Sequence, residues 1–156
     1  MSLGTRVRRL LGPLEPPVAR AYRQFFYRPE SLVPHLQGRC APLDVLEIGC
    51  GEGLLTDVLA AAFPAAQFTG IDIAGTPGRL YGRDPARATF LTESAAVLAA
   101  RRPGSFDLVV VSDVMHHVAL DERRGLLKDA ACAARPGALL VIKDWQIYQK
   151  QLAAYV

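Results

Sequence analysis

Branched apolar residues gather in short blocks along the chain, separated by residues that favour turns. The blocks are Val45 to Ile48, Gln67 to Ile73 and Leu108 to Val111. Runs this short and this continuous read as strands covered on both faces, the pattern of a parallel sheet. Segments of helical length lie between them. Leu54 to Ala62 runs up to Pro64, Ser94 to Arg102 is closed by Pro103-Gly104, and Asp121 is placed to cap a helix reaching about Ala134. In that last segment Leu126, Leu127, Ala130, Ala131 and Ala134 recur on one face, as a helix lying on a sheet requires. The crossover from Ala74 to Ala86 is different. Gly75, Pro77, Gly78, Gly82 and Pro85 oppose a full helix there, so a loop with at most a short turn is expected. Strands alternating with helices predict an α/β fold: a Rossmann-like, doubly wound, mostly parallel sheet of about five strands with helices on both faces.

The first block breaks into glycines at 49, 51 and 53 before the helix from Leu54 begins. Strand, glycine turn and helix in that order form the nucleotide-binding corner of such a sheet. A second signal follows, because Asp72 ends the next strand 19 positions beyond Gly53. An acid about 20 residues on is suited to grip ribose hydroxyls, so the corner is read as an adenosine site. The loop reads G-x-G-x-G, one residue shorter than the dinucleotide fingerprint. Glu47 and Glu52 flank it, and no Lys or Arg falls between Arg39 and Arg79. Carboxylates beside a pyrophosphate would repel it, whereas they suit a ligand carrying an ammonium and a sulfonium. S-adenosylmethionine is such a ligand, and a nicotinamide dinucleotide is disfavoured.

The ordered motifs resemble class I S-adenosylmethionine-dependent methyltransferases. VLEIGCGEG with GIDI at Gly70 to Ile73 resembles the family's cofactor-binding half. Phe90 to Glu93 resembles the end of strand three, Phe106 to Asp113 strand four, and Val114 to His117 the helix start after it. Ala134 to Ile142 resembles the proline-glycine turn into strand five, so the likeness spans residues 44 to about 145. It implies that Glu47 receives the methionine ammonium, directly or through water, while Gly49, Cys50 and Gly51 shape the turn. Asp72 then accepts the ribose hydroxyls beside Ile73, and Glu93 or its neighbours Thr92 and Ser94 face the adenine. Ser112 and Asp113 complete the crevice. His116 and His117 are the candidate general bases, because an imidazole titrates near neutral pH. The alternative is that the pair caps a helix and walls the methionine pocket, and it is preferred for either histidine alone. No metal is implied, since adjacent side chains on a helix diverge and no Cys/His set accompanies them.

Composition narrows the remaining choices. With 156 residues and 51% apolar content, the chain suffices for one domain with a true core. No apolar run approaches the about 18 residues that cross a bilayer, and the basic start lacks a secretory apolar core. Three cysteines at 40, 50 and 132, without metal spacing, fit free thiols in a reducing cytoplasm. The net charge of +3 is uneven, because residues 1–39 hold seven arginines against Glu15 and Glu30. Arg20, Arg23 and Arg28 are read as a solvated helical face rather than a nucleic-acid surface. Tyr22, Phe25, Phe26 and Tyr27 are read as packing or lining a substrate entrance. Residues 1–38 are thus expected to form a helical cap, and 39–156 the S-adenosylmethionine-binding domain.

Relatives end in an antiparallel hairpin of strands six and seven, for which the residues after strand five do not suffice. Strand five is therefore expected at an exposed edge, where it could drive self-association. The expected activity is methyl transfer from S-adenosylmethionine to a small molecule, leaving S-adenosylhomocysteine. The rival reading is an inactive or truncated cofactor-binding module serving as a regulatory or structural partner. No Asn-Pro-Pro-Tyr-type motif follows strand four, as base or amide methylation would lead one to expect.

Overall fold

The computed structural model describes residues 29–73 and 75–144. The expectations placed on Arg20 to Arg28 and on the tail from Gln146 to Val156 lie outside the described residues. Five parallel strands form one sheet in the order β3-β2-β1-β4-β5. They are β1 (Asp44–Ile48), β2 (Gln67–Asp72), β3 (Ala88–Thr92), β4 (Phe106–Ser112) and β5 (Ala134–Lys143). A short 3-10 turn, Pro29–Leu32, leads into α1 (Val33–Leu36), and the remaining helices are α2 (Leu54–Ala62), α3 (Ala95–Arg101) and α4 (Arg123–Ala133). Chain direction reverses its progress across the sheet between β1 and β4. That switch point opens a crevice at the carboxyl ends of the strands.

Side chains alternate along each strand, so the sheet builds two cores. On one face Val45, Phe68, Leu108 and Val110 pack with Leu55 and Leu59 of α2 and with Leu32 and Leu36. On the other, Leu46, Ile48, Ile71, Val109 and Val111 meet Leu98 and Ala99 of α3 and Ala130 and Ala133 of α4. Covering both faces explains why the central strands are apolar throughout.

Several boundaries differ from expectation, each for a local reason. α4 starts at Arg123 with Glu122 at its cap position, and no side chain caps it, so Asp121 does not. Its buried stripe uses Ala130 and Ala133, whereas Ala131 is exposed and Ala134 already belongs to β5. Val114 to His117 does not open a helix; Met115–His117 make one 3-10 turn. Pro136-Gly137 does not precede β5 but lies within it. Ala134 pairs with Phe106 and Leu139 with Leu108, so the residues between bulge outward where Pro136 has no N–H to give.

The β2–β3 crossover does lack an α-helix among the described residues, with a 3-10 turn at Pro85–Arg87. Side chains hold this loop in place. Gly82 donates its N–H to Asp57 Oδ1 (2.8 Å). The Arg87 guanidinium donates to the carbonyls of Ala60, Phe63 and Ala66 at 2.8 to 3.3 Å. Arg87 thereby satisfies carbonyls that the end of α2 leaves without helical partners.

Candidate functional site

The glycine turn is pinned to the end of β2. Gly49 and Cys50 both donate to the Ile71 carbonyl (2.8 and 2.9 Å). Gly51 donates its N–H to Asp72 Oδ2 at 2.9 Å. The glycines serve different ends. At Gly49, φ is +74° and a Cβ would overlap the Val114 methyl, so this residue admits the loop after β4. At Gly51, φ is +51° and a Cβ would meet nothing within 4 Å, which leaves open space for a ligand against the backbone. Cys50 is buried, and burial pushes its thiol well above the usual range, with Glu47 and Asp72 adding to the effect. Such a thiol is packing, not a nucleophile.

Glu47 lies almost wholly buried, 4% exposed, and its Oε2 accepts a hydrogen bond from Thr56 Oγ1 at the start of α2. Burial pushes its carboxyl up to about 8; the Thr56 bonds oppose that shift, and the nearby Asp72 charge adds to it. Asp72 stands at the end of β2 opposite Thr92 of β3, and Ile73 beside it is 78% exposed. Thr92 is exposed. Glu93 pairs with Arg101 at 2.6 Å, and Ser94 caps α3 by accepting from the Val97 N–H (3.3 Å).

The β4 side is laced to β5. Asp113 holds φ at +57°, a strained value outside glycine. Its N–H donates to the Lys143 carbonyl (2.7 Å), while its Oδ2 accepts from Ser112 Oγ (2.9 Å) and Lys143 Nζ (2.8 Å). His116 Nδ1 lies 2.7 Å from Asp144 Oδ1, and the His116 and His117 rings face each other at 3.9 Å.

The structure therefore corrects the picture of a crevice lined with unopposed negative charge. Glu52 is engaged by Arg79 (2.7 Å), Glu93 by Arg101 and Asp113 by Lys143. Arg79 comes back over the turn because the loop after β2 folds onto it: Gly78 donates to the Gly51 carbonyl and Leu80 to that of Glu52. Sequence spacing missed Thr56, Arg79, Lys143 and Asp144. Only Asp144 carried a usable signal, as an acid directly after an apolar strand, the same signal that picked out Asp72. Phe90 was placed on β3 correctly, but its role came from the fold. Its ring fills the space beside Gly70, where a Cβ would stand 2.7 Å from Phe90 Cδ1.

A doubly wound sheet with a glycine turn, a buried acid below it and a second acid on the next strand has the Rossmann-like architecture. Residues 46–140 match the family described as "Methyltransferase domain", and the chain belongs to it. It is 33% identical over 97 residues to the ubiquinone biosynthesis O-methyltransferase of Bordetella parapertussis, covering 60% of this chain and 39% of that protein. With the enzyme of the same name from Xanthomonas campestris pv. campestris it shares 32% identity over 102 residues, 63% of this chain and 41% of the relative. The chain thus spans about two fifths of the length of these curated relatives. Among solved structures it resembles the N-methyltransferase NodS of Bradyrhizobium japonicum in complex with S-adenosyl-L-homocysteine. The TM-score is 0.61 at 25% identity, over 74% of this chain and 59% of that one. An O-methyltransferase family protein of Burkholderia thailandensis shares the fold with TM-score 0.64 at 18% identity, over 83% and 41% of the two chains.

Proposed function

We propose that this chain binds S-adenosylmethionine and directs its methyl group to a small-molecule acceptor, releasing S-adenosylhomocysteine. One juxtaposition carries the reading: the open backbone at Gly51 stands between buried Glu47 and the Asp72 carboxylate that accepts its N–H. A Cβ at Gly51 would fill the space in which the ligand would lie. When bound, the cofactor supplies an already activated methyl on a sulfonium, so the protein's task is alignment and exclusion of water. Glu47 gives up its proton and accepts the methionine ammonium. Asp72, steadied by Gly51, takes the ribose hydroxyls, and exposed Ile73 offers an apolar surface to the adenine. Thr92, Glu93 and Ser94 border the adenine edge, while Ser112 and Asp113 bound the methionine end next to Gly49 and Cys50. His116 and His117 stand where an acceptor would approach.

The names of the curated relatives support an oxygen acceptor, and the solved relative with S-adenosyl-L-homocysteine supports the cofactor. We propose that the segment leading into β1 borders the acceptor side, and Leu32 and Leu36 within it are buried against α2. No helix among the described residues is long and apolar enough to cross a membrane. A cytoplasmic setting is supported by the free cysteines Cys40, Cys50 and Cys132. β5 forms one edge of the sheet among the described residues, with Ile142 48% exposed, and this supports self-association. A concentration-independent monomer in sedimentation would remove that last proposal.

Calorimetry with S-adenosylhomocysteine, with NAD as the control, tests the binding reading. Micromolar affinity for the first and none for the second is expected. Binding without methylation of any acceptor would leave a cofactor-binding module and no enzyme.

A further inference from the structure

The two histidines after β4 are not equivalent. His116 is gripped twice by Asp144, the first residue past β5: the Oδ2 accepts the His116 backbone N–H (3.2 Å), and the Oδ1 faces ring Nδ1 (2.7 Å). An ionised carboxylate only accepts hydrogen bonds, so the nitrogen facing it carries the hydrogen. Neutral His116 is thereby held as the Nδ1–H tautomer, and its basic lone pair is at Nε2. His117 has no carboxylate partner among the described residues; its ring packs on that of His116.

The carboxylate is itself well placed. Lys143, its neighbour, ties β5 to β4 through Asp113, both by the Lys143 carbonyl and by Nζ. The parallel pairing sets Ser112 opposite Lys143, so the residues just beyond each strand end meet across the crevice rim. Among the described residues, the groups in contact with the imidazole are Asp144 and the His117 ring. Arg123 is turned to the Val118 carbonyl (3.0 Å).

Resting on the methyltransferase reading above, we infer that Asp144 is a positioning residue that presets His116 Nε2 as the base for a phenolic hydroxyl acceptor. Among hydroxyl acceptors the chemistry favours that class. A phenol titrates near 10, within reach of an imidazole base, whereas an aliphatic alcohol holds its proton far more tightly. In the step, the acceptor's O–H proton passes to Nε2 and the O–H electron pair forms the new bond to the methyl carbon. The bond from that carbon to sulfur breaks with its pair on sulfur. The imidazolium, stabilised by Asp144, then returns its proton to water.

The test uses the full chain with S-adenosylhomocysteine bound, read by nitrogen-15 NMR of His116 assigned against His116→Gln. The wild-type ring is expected as the Nδ1–H tautomer, a measurement that needs no Asp144 variant to fold. In Asp144→Asn the Nε2–H tautomer of His116 should become populated, and Asp144→Glu should restore most of the Nδ1–H signal. Methylation of a panel of phenols and catechols should lose about tenfold or more in kcat in Asp144→Asn, with KM for the methyl donor unchanged. An Nε2–H tautomer in the wild type, an unmoved tautomer balance in Asp144→Asn or an unchanged kcat in that variant would overturn the assignment, as would a protein that binds S-adenosylhomocysteine yet methylates none of the panel. Failure to bind S-adenosylhomocysteine at all would instead remove the cofactor reading beneath it.

Discussion

The two rims of the sheet both carry acids at the ends of neighbouring strands, and they use them in opposite ways. At the amino rim Asp44 of β1 and Asp107 of β4 are spanned by one guanidinium, with Arg135 reaching them at 2.9 and 2.5 Å. The other Asp107 oxygen accepts the N–H groups of Leu43 and Asp44 (2.9 and 3.0 Å). Burial pushes the Asp107 carboxyl up, but those N–H bonds and Arg135 outweigh it and hold it below the usual range. This is a stitch between strands. At the carboxyl rim Glu47 is buried with hydrogen bonds from Thr56 but no cation among the described residues, and burial pushes it up to about 8. Asp107 is thus over-supplied with donors, whereas Glu47 is short of positive charge.

The sharpest way to break this contrast is Glu47→Gln. The substitution removes the buried charge that would meet the ammonium, so affinity for S-adenosylhomocysteine should fall about a hundredfold or more. The wild-type site must ionise to bind, so its affinity should climb as pH rises to about 8 and level off above it, while the Gln variant stays flat. Stability carries the opposite sign. The folded carboxyl keeps its proton to about 8 and the unfolded one loses it near 4.5, so the folded state binds more protons in that window. Wild-type stability should therefore decline as pH rises through it, and the variant should not follow. Thermal melts across the window check this, and parallel curves would contradict the buried-acid account.

Asp72→Ala should come next, weakening S-adenosylhomocysteine by about ten- to a hundredfold in calorimetry through lost charge-assisted bonds. Undiminished affinity in a folded variant would move the ribose elsewhere. Arg135→Ala at the far rim should have the smallest effect, since its ion pairs are exposed. A slight drop in melting temperature with unaltered cofactor affinity is expected. Weakened binding would mean that the two rims are coupled and the contrast is wrong.

Much of this architecture was legible before any coordinates. The apolar blocks marked β1, β2 and β4, the family resemblance supplied β3 and β5, and α2 runs from Leu54 to Ala62 as its apolar pattern and Pro64 imply. Ala74 to Ala86 declared itself a loop through its glycines and prolines. The histidine pair was harder. Hydropathy placed it after β4, but a helix was expected there, and only the 3-10 turn at Met115–His117 brings His116 to Asp144. The crevice charges were misread for a related reason. Counting residues between Arg39 and Arg79 could not show that Arg79 folds back on Glu52.

What the chain determined by itself was local: strand lengths, the glycine turn, and which residues end each strand. These follow from turn chemistry and side-chain periodicity within a few residues. The tertiary structure alone decided which partner each charge meets. Arg79 reaches back 27 positions to Glu52, Lys143 30 positions to Asp113, and Arg135 91 positions to Asp44. Strand order sets those distances. An electrostatic site is a sum over groups that sequence separates and packing brings together, and its sign is known only once the sheet is assembled.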